Sequence, residues 1–316
     1  MDFSLTSWNI HGLPYPLDLH FWPFSRIPRH GERAEAIAAR VLTSHPDVCV
    51  FQEVWTDQDV ERFTQRFKSA GYTVSPPPRT RFPRSGGLLT CVASGWQVLD
   101  ARFEEYITNP GPANSDARSH KGVQVVKVQK GAERLVVLNT HLQSQYPPKH
   151  FYADIRKAQI ERLTEVATKE YESDRDAALL AVGDFNTYPY PSDADAYLAM
   201  STGKWRDLTS EARAECGCET NYDSVHPTEM EGWIDYVLAY QSGVDVRAEI
   251  SLMRNTSIDN PYSDHHGLHA NVSITRAARE GVAATIAAWL CTQPTTRREW
   301  LTGLATIAAN RAALRL

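Results

Sequence analysis

A chain of 316 residues has room for one large domain or two ordinary ones, and 42% hydrophobic with 22% charged residues is an ordinary globular balance. Its 33 Lys and Arg against 38 Asp and Glu leave a net charge of −5, so no overall field draws it to nucleic acid, although a local basic patch would escape this count. No apolar run approaches the ~20 residues that span a bilayer.

In chain order, Phe3–Asn9 alternates apolar and polar side chains and reads as a strand, followed by a Gly- and Pro-rich loop from His11 to Pro28. Gly31–Leu42 carries Ala36, Ile37, Ala39, Val41 and Leu42 at helical spacing. Asp47–Glu53 is a strand ending on a carboxylate, and Thr56 then caps a helix to about Ser69, with Asp57 and Asp59 in its first turn. Strands follow at Gly86–Ala93, Gly122–Gln129 and Arg134–Thr140, the last two joined by a short turn. A long helix is predicted from about His150 to Glu172. Ala177–Gly183 is a buried strand leading to Asp184, and Trp233–Ala239 and Gly267–Ile274 complete the sheet-forming set. Ser75–Arg84, Ile107–Ser119 and Gly203–Glu231 read as loops.

Many strands with modest helices between them point to an α/β sandwich, two packed sheets with helices outside, over residues 1–275. From Arg276 the composition shifts to Ala, Thr and Arg, predicting a C-terminal helical extension over 276–316, with helices at about Arg279–Leu290 and Arg298–Leu314 split by Pro294. The five cysteines lack framework spacing. Cys49 and Cys91 read as buried thiols in strands, Cys216 and Cys218 as loop thiols, or as a bridged pair, without a zinc-finger partner pair, and Cys291 falls in the extension, so a reducing compartment fits best. The strand at Phe3–Ile10 leaves no place for a secretory leader, so the cytoplasm or the membrane periphery is expected, and secretion only if a leader has been removed ahead of Met1.

The chemistry sits at strand ends: Asn9, Glu53, His141, the pair Asp184 and Asn186, Asp235 within Trp-Ile-Asp-Tyr-Val-Leu, and Ser263-Asp264-His265 before the last strand. Singly, each has a bland reading: a carboxylate after a strand is a solvated turn, Asn9 a turn former, His141 a satisfied core histidine. Asp184-Phe185-Asn186 is more specific, because Gly183 frees the backbone and side chains at i and i+2 of an extended run share a face. Glu53 and Asn9 suit a hard cation such as Mg²⁺, which takes oxygen ligands and keeps several waters, better than zinc, which calls for more His or Cys. The two histidines titrate near neutrality and suit proton transfer or charge stabilisation.

Taken together, Trp8-Asn9, Gln52-Glu53, Thr140-His141, Gly183-Asp184-Phe185-Asn186, Ile234-Asp235-Tyr236 and Ser263-Asp264-His265 resemble the motifs of the endonuclease/exonuclease/phosphatase superfamily, in its order, over residues 1–275. Within it the chain is most similar to the neutral sphingomyelinases. Asp116-Ala-Arg-Ser-His-Lys121-Gly122 resembles their Asp-x4-Lys-Gly/Ala element, and His11-Gly12-Leu13-Pro14-Tyr15 and Gln52-Glu53-Val54-Trp55 are also similar. The bland reading of Lys121 is a hydrated lysine at a strand start. Trp-Ile-Asp-Tyr-Val-Leu differs from the Cys-Asp-Arg segment of inositol polyphosphate 5-phosphatases, and this chain lacks the C-terminal membrane spans of mammalian-type neutral sphingomyelinases.

The resemblance implies a four-layered α/β sandwich and an enzyme, a Mg²⁺-dependent phosphoesterase in which Mn²⁺ or Co²⁺ would substitute. It implies that Glu53 holds the metal with Asn9, and Asp264 directly or through water. His265, oriented by Asp235, would be the general base, with Asp184 as the other candidate for that proton. Asp184 and Asn186 would position water and phosphate, His141 would stabilise the developing charge or assist the leaving group, and Lys121 with Asp116 would add to phosphate binding. A phospholipid head group, sphingomyelin first, is the expected substrate. A nuclease or soluble phosphomonoesterase on the same scaffold is the alternative, and a silent binding protein is disfavoured by the intact ligand set. Phe21, Trp22 and Phe24, with Arg26 and Arg29 after them, suit peripheral membrane contact as well as they suit a loop-covered core.

Overall fold

The computed structural model describes residues 1–12, 30–78, 85–107, 116, 119–144, 152–188, 193–210, 233–241, 244–254 and 262–276. In chain order its first elements are β1 (Asp2–Asn9), α1 (His30–Leu42), β2 (Val48–Gln52), α2 (Asp57–Ser69), β3 (Tyr72–Ser75), β4 (Leu89–Ala93) and β5 (Gln97–Glu105). There follow β6 (Gly122–Lys130), β7 (Glu133–His141), α3 (Ala153–Ser173), β8 (Ala178–Asp184), α4 (Ala194–Ser201), β9 (Trp205–Asp207), β10 (Asp235–Tyr240), β11 (Val244–Met253) and β12 (Gly267–Arg276). The strands make two six-stranded sheets, ordered β11-β12-β1-β2-β4-β3 and β5-β6-β7-β8-β10-β9.

Each sheet contains one parallel pair, and every other pairing is antiparallel. β1 and β2 run parallel with α1 between them in sequence, and β7 and β8 run parallel with α3 between them. Adjacent parallel strands need such a crossover, because a tight turn cannot reverse the chain twice. The carboxyl ends of the two pairs fall at Asn9 opposite Gln52 and at His141 opposite Asp184.

Apolar residues of α1 and α2 (Ile37, Val41, Phe63, Phe67) pack with Trp8, Cys49, Phe51 and Cys91 of the first sheet. A second, larger core joins both sheets to α3 and α4 through Leu5, Val50, Val125, Leu138, Leu163 and Met200, giving the layers helix, sheet, sheet, helix. Thr56 caps α2 as expected, accepting the Asp59 amide at 3.1 Å, a contact typically worth about 1 kcal/mol. Cys49 and Cys91 are buried free thiols on paired positions of β2 and β4.

Polar bonds cross the interface between the sheets. Gln52 Nε2 donates to Asn139 Oδ1 at 2.9 Å, and Asn139 Nδ2 to the carbonyls of Phe51 (3.2 Å) and Leu89 (3.3 Å). Thr90 Oγ1 donates to Gln124 Oε1 at 2.6 Å, and Gln124 Nε2 to the Ser75 carbonyl at 2.9 Å. Buried donors and acceptors so matched fix one alignment of sheet on sheet, where an all-apolar seam would accept several.

Four strands and one helix depart from the sequence reading. β3, β5, β9 and β11 are the outer strands of the two sheets, and none was anticipated. β9 lies inside the expected loop Gly203–Glu231, and α4 is an additional helix. Edge strands are guarded by charge or by shortness: β5 bears Asp100, Arg102 and Glu104, β11 bears Asp245, Arg247 and Glu249, and β9 has 3 residues. Among the described residues no helix is long and apolar enough to cross a membrane. The aromatic segment Phe21–Phe24, Cys216, Cys218, Cys291 and the two C-terminal helices lie outside the described residues.

Candidate active site

The carboxyl ends of β1 and β2 leave the first sheet side by side, and the chain bends sharply at both. His11 has φ 48° and Glu53 φ 62°, left-handed backbone that costs a residue with a Cβ about 1–2 kcal/mol. Gly12 passes so close that a Cβ there would fall 1.9 Å from the Glu53 carbonyl oxygen. Between them Asn9 donates through Nδ2 to Glu53 Oε1 (3.1 Å) and to Asp184 Oδ2 of the other sheet (2.9 Å), while its Oδ1 accepts the His11 amide (3.0 Å). The loop before β12 docks on the same strand: Ser263 Oγ donates to the Asn9 carbonyl (2.6 Å) and accepts from the His265 amide (3.1 Å), and the Trp8 indole donates to the His265 carbonyl (3.0 Å).

From the second sheet, His141 and Asp184 stand opposite each other on β7 and β8, and Asp235 pairs with Asp184 across β10. Such close packing requires Gly183, where a Cβ would lie 2.1 Å from the Thr140 carbonyl oxygen. His141 Nε2 lies 3.4 Å from Asp184 Oδ2 and accepts from Lys121 Nζ at 2.8 Å. Lys121 also stands 3.6 Å from Asp116 Oδ2, which accepts Gln143 Nε2 and the Ser144 amide, both at 2.9 Å. His265 Nδ1 bonds Asp235 Oδ2 at 2.7 Å, and its Nε2 lies 3.7 Å from Asp184 Oδ2 and 3.9 Å from Asp264 Oδ1. All ten residues singled out in the sequence thus converge on one site at the seam of the two sheets.

Asp184 and Asn186 are joined differently from the expected strand alternation. Asn186 has φ 47°, and its amide donates to Asp184 Oδ1 at 2.8 Å, an Asx turn rather than an extended run. Its Nδ2 donates to the Leu142 carbonyl at 3.1 Å.

Burial and charge set the proton affinities. Burial lifts the Asp184 carboxyl to about 7, with repulsion from Asp235 adding to it and His265 opposing. Burial likewise raises Asp235 against the pull of His265. His265 goes the other way: burial disfavours its charged form, but Asp235, Asp264 and Asp184 outweigh that and hold the imidazolium. Burial, with repulsion from Lys121, keeps His141 neutral. Desolvation would raise Asp264, yet His11 and His265 hold its carboxyl well below the usual range.

The donor set fits a hard divalent cation. Five carboxylates (Glu53, Asp116, Asp184, Asp235, Asp264) face one lysine and few protonated rings, an excess of negative charge in a low-dielectric cleft. Glu53 and Asp264 have side chains 15% exposed and Asp116 13%, against 2% for Asp184 and Asp235. Asp116 is taken up by Gln143, Ser144 and Lys121, which leaves Glu53 and Asp264 as the carboxylates offered to an entering ion. Among the described residues no three His, Cys, Asp or Glu form a complete cage, and Mg²⁺ requires only one or two carboxylates beside water and substrate oxygens.

Two residues of the surroundings, Gln143 and Arg33, were not singled out in the sequence, and His11 was named there only within a segment of family resemblance, without a role. His11 Nδ1 lies 3.2 Å from Asp264 Oδ2, Gln143 holds Asp116, and the buried Arg33 of α1 donates to carbonyls of the β1 exit. Arg33 did leave a signal: it sits four and eight residues before Ile37 and Val41, on the apolar face of its helix.

A model of the Endonuclease/Exonuclease/phosphatase family matches residues 6–265. No curated protein sequence matches the chain. Among solved structures, truncated Caenorhabditis elegans TDP2 superposes with a TM-score of 0.65 at 17% identity, over 86% of this chain and 97% of that one. D. rerio TDP2 complexed with single-strand DNA product gives 0.64 at 17% identity, over 86% and 99%. SmcL gives 0.63 at 15% identity, over 86% and 99%. Identities this low speak for the fold alone. The family match, by contrast, spans every strand end from Asn9 to His265, and on it the chain belongs to the endonuclease/exonuclease/phosphatase family.

Proposed function

We propose that the protein is a divalent-cation-dependent phosphodiesterase that hydrolyses a phospholipid head group, sphingomyelin to ceramide and phosphocholine first among them. The observation that carries this reading is the Asp116–Lys121 segment, whose ammonium group reaches His141 at 2.8 Å beside the carboxylates of the strand ends. A lysine buried there places a fixed positive charge where a phosphate would lie.

In this reading Glu53 and Asp264 hold the cation, and Asn9 aligns Glu53 with Asp184. The cation, Mg²⁺ in the first instance, would neutralise charge on the non-bridging oxygens of the phosphate. Lys121 and His141 hold the phosphate from the other side. The attacking water gives its proton to the His265–Asp184 pair, whose facing atoms are 3.7 Å apart, as its oxygen bonds to phosphorus. The P–O bond to the leaving alcohol breaks and that oxygen takes a proton from solvent, while Asp235 keeps the ring turned by its bond to Nδ1. Asn186 holds the turn that presents Asp184.

A second reading, a nuclease, draws on the likeness to the TDP2 structure that contains single-strand DNA product. The two are separated by measuring phosphocholine release from sphingomyelin–detergent micelles with Mg²⁺ and with EDTA, alongside plasmid nicking and a soluble bis-phosphodiester. Mg²⁺-dependent phosphocholine release without nicking supports the lipid reading. Nicking or diester cleavage without phosphocholine release overturns it and leaves the nuclease.

A further inference from the structure

Helix α1 turns Ala34, Ile37, Ala38 and Val41 into the core, and Arg33 lies on that same face, 2% exposed. A guanidinium is costly to bury unless its donors are matched. Here Nη1 donates to the carbonyls of Ile10 (3.3 Å) and Tyr262 (3.0 Å), and Nη2 to the carbonyl of His11 (2.8 Å). Those carbonyls belong to two segments far apart in sequence, the exit of β1 and the approach to Ser263-Asp264-His265. His11 links the same two segments a second time. Its amide is held by Asn9 Oδ1 at 3.0 Å, and its ring, buried, presents Nδ1 to Asp264 Oδ2 at 3.2 Å.

We propose that Arg33 and His11 are positioning residues that fix the Asp264 carboxylate for the divalent cation, Arg33 by pinning the backbone on both sides and His11 by holding Oδ2. The inference rests on the reading that Asp264 helps to hold that cation. A hydrogen bond to one oxygen of a ligating carboxylate sets its orientation, and losing such a partner typically costs about 10- to 100-fold in metal affinity. Neither residue reaches a reacting atom. A merely structural pair would alter folding stability and leave cation affinity unchanged.

The test is Mn²⁺ binding to the purified full-length protein, read from the electron paramagnetic resonance signal of free Mn²⁺, with Glu53→Gln as the variant that removes a ligand. His11→Gly accepts the left-handed backbone but deletes the ring, and its Kd is expected to rise about 10- to 100-fold. His11→Asn places a side-chain nitrogen close to the position of Nδ1 and tolerates the same backbone, so its Kd is expected within about threefold of wild type. Arg33→Lys offers one ammonium for three carbonyls and is expected to weaken binding as His11→Gly does. If Arg33→Lys does not fold, the two His11 variants decide. A wild-type Kd in His11→Gly, or equal losses in the Gly and Asn variants, overturns the positioning role. Wild-type protein that binds no Mn²⁺ overturns the cation reading beneath it, an outcome distinct from the other two.

Discussion

Replacing Asp235 by Asn keeps the shape of the side chain and removes its charge. Asp235 Oδ2 accepts from His265 Nδ1 at 2.7 Å, and both side chains are nearly closed to solvent, at 2% and 5% exposure. A hydrogen bond involving a charged group contributes about 1.5–3 kcal/mol, equivalent to roughly 10- to 150-fold at 1.36 kcal/mol per tenfold. A second loss comes from direction. A carboxylate only accepts, so it holds the Nδ1 hydrogen and supports the charged ring, whereas an amide brings no charge and can turn its NH₂ against the ring. Both losses act on proton transfer, and together they predict a fall in kcat of about 10²–10⁴. Lys121 and His141 are untouched, so KM should stay within about threefold. The assay is hydrolysis of bis(p-nitrophenyl) phosphate at saturating Mg²⁺, with thermal unfolding of the same samples to establish that the variant is folded. A folded Asp235→Asn with kcat within fivefold of wild type would refute the orienting role; unchanged kcat with a large rise in KM would move Asp235 to substrate binding.

Lys121→Met preserves length without charge, and is expected to lower kcat/KM about 10²-fold, the loss of one charge-assisted contact, while Mn²⁺ affinity holds; weakened Mn²⁺ binding by the same amount would count against a phosphate role. Asn139→Leu leaves Gln52 Nε2 with only its longer contact to Ser7 Oγ (3.4 Å), removes a donor to two carbonyls between the sheets, and should cost about 2–4 kcal/mol in urea unfolding. Adding Gln52→Leu should restore much of that loss, and strict additivity of the two changes would show that the pair is not coupled. Asp47 supplies the pH test. Burial alone would raise its carboxyl, but the Ser4 amide (2.9 Å), the Trp96 indole (2.9 Å) and Lys130 (3.5 Å) hold it below the ordinary value. A depressed folded pKa gives stability that is complete above the unfolded value near 4 and is lost as pH falls below it toward the folded value. Asp47→Asn should therefore be less stable than wild type by about 1 kcal/mol at pH 7, with the two curves converging below about pH 4; a gap undiminished at pH 3.5 contradicts the assignment.

The interior of the fold was legible because interior strands must be apolar on both faces. Cys49-Val50-Phe51 and Leu179–Val182 announce themselves without any pairing information, while β1 was read from its apolar–polar alternation, and all eight central strands were found by one pattern or the other. The outer strands were not, because an edge exposed to water is written with charges that look like loop, as in Asp100-Ala101-Arg102 and Asp245-Val246-Arg247. At the site, residues that end apolar runs stood out through contrast with what precedes them. His11 and Arg33 offered no such contrast: one follows the strand by two positions in a Gly-Pro context, and the other is a charge among many on a helix. Their meaning lies in carbonyls of Ile10 and Tyr262 that only the folded chain brings together.

Left-handed backbone at His11, Glu53 and Asn186 sets the interests of folding against those of chemistry. At each position glycine would relax the turn, and at Glu53 it would do so while deleting a carboxylate that faces the cleft. A library of this protein selected only for heat resistance would therefore drift toward glycine at 53, and its survivors would be sturdier and inert. In a lineage freed from the need to hydrolyse, the same three codons would be among the first to change. Left-handed residues with side chains also occur away from the cleft, at His45 and Tyr152, so the conflict is sharpest at Glu53, where the side chain that strains the turn is the one that faces the cleft.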